Sequence, residues 1–351
     1  MTQEKQLASI QILRAYAAGT VAVGHALLEA RTIAQGNGET FDISFLAWGF
    51  GVDVFFVISG FIMAYSTVSD FGRQGAPGRF LWRRLIRIVP LYWLLTAALV
   101  AIAFVGATSS RPTTWDVVSS FLFIPDEALS GAIVPVLTVG WSLNYEMLFY
   151  MVFGAALFAP PRFVLPIVTG VIGLLILAGV VFRPEAAPLQ VWTSSLSAEF
   201  VYGIWIAVAV MAGVAITGAA RIVLTITALA LTLVTMFVLL NIPGPRALVY
   251  GIPAALLVIC ALSWNLNGRT WWGLTILGDA SYSLYLSHMF AVRLARKLWE
   301  AVGFGGANPW LFVVFALILS ILAALACYYL IERPITRWLK NKRIPAHPKA
   351  G

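Results

Sequence analysis

Charge is what this sequence has least of. Asp, Glu, Lys and Arg make up 11% of the 351 residues, against 60% hydrophobic residues, and the mean hydropathy is +0.89. A soluble domain keeps about a quarter of its residues charged. The shortage therefore excludes an ordinary soluble enzyme and leaves a polytopic membrane protein. Cysteine is nearly absent too: Cys260 and Cys327 lie far apart in apolar runs, which excludes a disulfide framework or a metal motif. No cleavable leader is expected either, because Arg14 interrupts the first apolar run and the chain continues straight into further spans. The surplus of positive charge, net +8, does not point to nucleic acid. The basic residues sit mainly in short segments between apolar runs, where membrane topology puts them. No internal repeat and no soluble domain stand out. The longest non-apolar segments are 67–85 and 107–136, so the chemistry must be done by the membrane-embedded part.

What is present is a series of apolar runs. A helix needs about 20 apolar residues to cross a bilayer, and ten segments fit, near 8–29, 43–66, 86–106, 137–158, 163–182, 197–217, 222–241, 246–263, 272–292 and 308–331. The expectation is an all-α polytopic membrane helix bundle of about ten transmembrane helices, one domain over 1–351 with a basic cytoplasmic tail at 339–351. Fifteen Lys and Arg fall on the side of the N-terminus and seven on the opposite side, which puts both termini in the cytoplasm. Arg293, Arg296 and Lys297 are discordant. They mark either an outer amphipathic turn or a contact with an anionic acceptor.

Ionisable residues inside spans cost several kcal/mol each unless paired or used. In IQILRAYAAGTVAVGH, Arg14 and His25 stand eleven residues apart. On a helix that puts them on one stripe, separated by about 16 Å along the axis. Snorkelling of Arg14 and a carbonyl bond for His25 are the structural alternatives. GVDVFFVISGF places Asp53 among apolar neighbours, so it needs a partner such as an Arg or His across the bundle. WSLNYEMLFY supplies Glu146 at comparable depth, and LGDASYSLYLSH puts Ser281, Tyr285 and His288 at i, i+4 and i+7 on one inward face. His25, Asp53, Glu146 and His288 are then expected in the outer half. Arg14 and the cluster Arg79, Arg83, Arg84 and Arg87 are expected in the inner half. A phosphate-bearing donor entering from the cytoplasm suits the arginines. A histidine tuned by Asp53 or Glu146 suits activation of an acceptor hydroxyl, as a general base or as a carrier of the group.

These motifs, with the basic RRLIRIVPLYW at 83–93 and IERP at 331–334, occur in an order that resembles the membrane-bound acyltransferase family 3 over residues 7–338. The family includes O-antigen, exopolysaccharide and nodulation-factor O-acetyltransferases, and the opening and the GVDVFF segment are most similar to the exopolysaccharide branch. The resemblance implies transfer of an acyl group, above all acetyl, from acyl-CoA to a hydroxyl of a cell-surface or secreted glycan at a bacterial inner membrane. It implies His25, Asp53 and Glu146 in catalysis and Arg14, Arg83, Arg84 and Arg87 in binding acyl-CoA. Ser281, Tyr282, His288 and Glu332 would support the site, with Glu332 equally able to pair with Arg333 or Arg337. No metal and no permanently bound cofactor are expected. The expected partners are acyl-CoA, a glycan acceptor, the lipid bilayer and other polysaccharide-assembly proteins, and no nucleic acid. The SGNH hydrolase-like domain that some relatives carry is not expected in these 351 residues. The competing readings are a glycan or lipid transporter or flippase, which shares the buried charges, and a non-catalytic scaffold.

Overall fold

The computed structural model describes residues 3–43, 49–105, 111–128, 130–237, 244–264, 270–304 and 308–342. Among these residues the chain is nearly all helical, and its only β pairing is an isolated bridge between Glu127 and Ile133. The helices are, in order, α1 (Gln3–Gly36), α2 (Phe50–Thr67), α3 (Ala76–Phe104), α4 (Thr114–Leu122), α5 (Trp141–Ala156), α6 (Val164–Phe182) and α7 (Ala187–Trp192). There follow α8 (Ala198–Met211), α9 (Gly218–Phe237), α10 (Ile252–Trp264), α11 (Trp272–Asp279), α12 (Ser281–Ala301), α13 (Pro309–Cys327) and α14 (Arg333–Asn341).

Seven segments among the described residues are long and apolar enough to cross a membrane: Phe50–Asp70, Ala76–Phe104, Pro161–Phe182, Ala187–Met211, Gly218–Phe237, Ala247–Trp264 and Pro309–Asn341. They leave out α1, α5 and α12, the helices that carry Arg14 and His25, Glu146, and His288. Large apolar side chains stay exposed on α6 (Leu174, Leu177, Val181), α9 (Ile222, Ile226, Leu233) and α13 (Leu311, Ile318, Leu322). Such stripes would be a liability in water and are the expected surface toward lipid.

Several boundaries depart from the sequence expectation. Helix α3 starts ten residues before 86: Gly75 turns the chain at φ 72° and Pro77 occupies the first turn, a favoured helix start. The basic cluster therefore lies on a helix, not in a loop. The expected loop 107–136 holds α4, begun by a capping box in which Thr113 and Asp116 exchange hydrogen bonds. The expected span 272–292 is broken at Ala280 into α11 and α12. After α13 the helix loosens into a π turn over Tyr328–Glu332 before α14, a local widening that re-aims side chains.

Two seams organise the bundle. Helix α2 lies at the centre and packs most extensively on α8. There Gly60 faces the Phe200 backbone and Gly203 faces the Val57 backbone so closely that a Cβ would fall 1.9 and 2.0 Å from the respective carbonyl oxygens. Small residues permit such approach where no water drives helices together. Helix α1 runs parallel to α11 and α12, since contacts climb both chains together: Gln11 to Asp279, His25 to His288 and Glu29 to Arg296.

Candidate active site

A cavity of about 720 Å³, part of it open to solvent, lies between α1, α2, α3, α5 and α12. Arg14, Arg84 and Arg87 line it together with Ser59, Glu146, Tyr150, Ser281, Tyr282 and Tyr285, over an apolar wall that includes Phe55, Ile58 and Ile62. Arg14 is 6% exposed, and its Nη1 donates to Gln11 Oε1 at 3.1 Å. Gln11 in turn donates to Asp279 at 2.7 Å. Arg84 donates to Ser66 Oγ at 3.0 Å, while its Nε finds no partner. Ser281 Oγ is likewise buried without a partner. Among the described residues three guanidinium groups thus share a cleft with one lining carboxylate, a surplus of positive charge suited to an anionic ligand.

The basic cluster divides into two faces. Arg79 and Arg83, four residues apart, turn to Asp70, at 3.9 and 2.7 Å. Arg84 and Arg87, three apart, turn to the cavity. Helical geometry makes each pair neighbours on its own stripe. Arg83, expected to bind the donor, is engaged by Asp70 and is not among the residues that line the cavity.

Glu146 is placed otherwise than expected. It accepts from Ser59 Oγ at 3.0 Å and from the Tyr150 hydroxyl, and it lines the cavity with the arginines. It does not lie at the level of His25. Glu332 also turns inward: the π turn brings its carboxylate to Ser283 Oγ at 2.6 Å, and it shares a small gap with Arg87, not an ion pair with Arg333 or Arg337. Tyr282 donates to the Ile88 carbonyl at 2.7 Å. Tyr285 donates to the Val139 carbonyl at 2.7 Å and meets Ser142 Oγ at 2.8 Å.

The cavity-lining face of α12 continues from Ser281 and Tyr285 to His288, one turn further. His288 is fully buried, and its Nε2 stands 3.1 Å from Nδ1 of half-buried His25. The rings are 4.9 Å apart. Among the described residues His25 thus meets a second histidine, where a carboxylate from Asp53 or Glu146 was expected.

Asp53 is held elsewhere. Its carboxylate, 0% exposed, takes two bonds of 2.8 Å from Arg246 Nε and Nη2. Glu199 of α8, also 0% exposed, shares this cluster with both residues. An arginine across the bundle was among the expected partners for Asp53. In the charge count Arg246 is one of the seven cations opposite the N-terminus, and Glu199, inside the span 197–217, carries the same signal as Asp53 although the sequence reading does not single it out. Arg296 is paired as well, with Glu29 and Glu300, each at 2.7 Å. That accounts for one of the three discordant cations without an external acceptor.

The family model described as an acyltransferase domain matches residues 7–329. The exopolysaccharide production protein ExoZ of Rhizobium meliloti (strain 1021) is 40% identical over 304 residues, covering 84% of this chain and 92% of its own length. No solved structure matches.

Proposed function

The chain belongs to the acyltransferase family whose domain it matches, and as a multi-pass membrane acyltransferase we propose that it moves an acyl group, assigned as acetyl, from cytoplasmic acyl-CoA to a hydroxyl of an exopolysaccharide or related cell-surface glycan. The glycan is argued from the likeness to ExoZ, whose name concerns exopolysaccharide production. The observation that carries the reading is the cavity itself. It gathers Arg14, Arg84 and Arg87 from two helices, and its α12 wall leads within one helical turn to the His25–His288 pair. The arginines would hold the phosphates of the donor, since guanidinium groups match phosphate oxygens in geometry and charge. His25 would take the proton of the acceptor hydroxyl as that oxygen attacks the thioester carbonyl. Glu146 tempers the charge of the donor pocket and does not tune the base.

We place the protein in the bacterial cytoplasmic membrane with both termini inside and ten crossings: the seven apolar segments together with α1, α5 and α12. The parallel course of α1 and α12 requires an odd number of crossings between them. Seven long helices intervene, namely α2, α3, α5, α6, α8, α9 and α10.

The test is purified protein in lipid nanodiscs with labelled acetyl-CoA and glycan from cells lacking the protein. Label should enter the glycan, whose repeat should gain about 42 Da, the mass of one covalent acetyl substitution. His25→Ala should lose on the order of 100-fold or more in rate, the usual contribution of a general base, at unchanged yield of folded protein. Unmodified glycan with intact glycan movement across vesicles would overturn the reading in favour of transport.

A further inference from the structure

Both histidines are fixed by the same local device. Nδ1 of His25 lies 3.0 Å from the Val21 carbonyl oxygen, and Nδ1 of His288 lies 2.9 Å from the Leu284 carbonyl oxygen, each one turn back on its own helix. A carbonyl oxygen can only accept, so each Nδ1 carries its hydrogen. In a neutral imidazole the lone pair is then on Nε2. For His288 that atom is the one facing His25 Nδ1 at 3.1 Å. The hydrogen on His25 Nδ1 therefore points between two acceptors, the Val21 carbonyl and the His288 Nε2 lone pair. The opposite placement fails on either side. A hydrogen on His288 Nε2 would oppose the one on His25 Nδ1, and stripping His25 Nδ1 to relieve that clash would set its lone pair against the Val21 oxygen. A doubly protonated His288 would in addition be a fully buried cation, which costs several kcal/mol without a counter-charge.

We infer that His288 is a positioning residue that sets the tautomer and ring orientation of His25, leaving the His25 lone pair on Nε2 as the atom that accepts the proton. The inference rests on the assignment of His25 as the base. In the transfer step the acceptor O–H bond breaks and its proton goes to His25 Nε2, while the oxygen bonds the thioester carbonyl carbon. The C–S bond then breaks, and the departing thiolate takes the proton from His25 Nε2. His288 gains and loses no proton. While His25 is an imidazolium, its Nδ1–H is held more strongly by the His288 lone pair, because charge-assisted hydrogen bonds are about twice as strong as neutral ones. A carboxylate at this place would orient the ring equally well. It would, however, introduce a second buried charge between α1 and α12, which neutral imidazole avoids.

Two substitutions separate positioning from packing. In His288→Gln the amide oxygen reaches the place of Nε2 and still accepts from His25. In His288→Asn the shorter amide can still donate to the Leu284 carbonyl but ends short of His25. Per folded protein, His288→Asn should lower kcat by about 10- to 100-fold, the usual cost of removing a group that orients a functional histidine, with KM for acetyl-CoA unchanged, whereas His288→Gln should stay within a few-fold of the parent. Nitrogen-15 spectra of histidine-labelled protein should show His25 as the Nδ1–H tautomer, and this readout stands even if neither variant folds. Equal losses in the Asn and Gln variants, a fully active Asn variant, or an Nε2–H tautomer at His25 would each overturn the inference. Failure of the base assignment would look different, with acyl transfer surviving His25→Ala.

Discussion

Along the α2–α8 seam, backbone meets backbone: Gly60 and Gly203 bring the two helices so near that no Cβ fits on either side, and the charged cluster beside them is closed by the two-bond Arg246–Asp53 pair. Along the seam of α1 with α11 and α12, one glycine approach of the same kind, Gly278 of α11 against the Gln11 backbone, is accompanied by side-chain pairs, Gln11–Asp279, His25–His288 and Glu29–Arg296. The cavity opens beside this second seam, and on its walls Arg84 Nε and Ser281 Oγ have no partner. In lipid the hydrophobic effect does not hold helices together, so close packing has to supply the stability. The first seam does this with glycine. The second is equally close where Gly278 meets Gln11 and, further along α12, keeps polar groups that a substrate can complete.

The largest expected effect separates glycines that face backbone, at Gly203 in the first seam and Gly278 in the second, from one that faces open space. At Gly203 a Cβ would fall 2.0 Å from the Val57 oxygen and 2.5 Å from the Phe61 nitrogen. Both are backbone atoms that cannot swing aside. Gly203→Ala should therefore cost about 3 kcal/mol or more, at or beyond the upper range of overpacking, and should appear as a collapse of the monodisperse yield in detergent. Gly19 on α1 has nothing within 4 Å of its missing Cβ, so Gly19→Ala should hold or raise Tm, because alanine is the better helix former by about 1 kcal/mol. Equal tolerance at both positions would break the link between backbone approach and stability.

Next in size is the ion pair that closes the first seam, and its two ends should not cost the same. Asp53 is 0% exposed while the Arg246 side chain is 37% exposed. Removing the arginine strands a buried carboxylate, and breaking a buried pair in that way costs about 3 kcal/mol. Asp53→Asn keeps the shape and leaves a guanidinium that can turn to water, for about 1 kcal/mol. Thermal unfolding in detergent should rank Arg246→Ala well below Asp53→Asn, and acyl transfer per folded protein should survive in Asp53→Asn. A loss in that variant as deep as in His25→Ala would return Asp53 to the chemistry.

Much of the second seam was legible in the sequence. The spacing Ser281, Tyr285, His288 announces one polar face, and in the structure that face runs along the cavity to His25. The eleven residues from Arg14 to His25 likewise fit one continuous helix, Gln3–Gly36. What was not legible is lateral. Asp53 finds its partner 193 residues away, a pairing that no local pattern encodes. Glu146 was assigned a depth by counting from the end of a span. Helices are tilted and offset against one another, so equal counts do not mean equal heights, and Glu146 came to rest among the arginines. Other evidence was present but hidden. A search for apolar runs starts the third span at 86 because arginine lowers hydropathy, and this concealed the helical spacing that sorts Arg79 and Arg83 from Arg84 and Arg87.

That sorting supplies the finest test. Arg87 and Arg84 line the cavity, so each alanine variant should raise KM for acetyl-CoA about tenfold, since a hydrogen bond to a charged group contributes about 1.5–3 kcal/mol and each 1.4 kcal/mol is about a factor of ten. With a donor analogue lacking the 3′-phosphate, one of the two variants should lose most of its defect, identifying which arginine reads that group. Arg83 stands one residue from Arg84 in the chain and carries the same charge, yet its guanidinium meets Asp70 with the side chain 49% exposed. Exposed pairs contribute between about 0 and 1 kcal/mol. Arg83→Ala should therefore shift Tm slightly and leave KM unchanged, and lower salt should not enlarge its effect on KM because the group does not face the donor. A rise in KM equal to that of Arg87→Ala would mean that the cavity draws on the summed charge of α3 and not on the two arginines turned toward it.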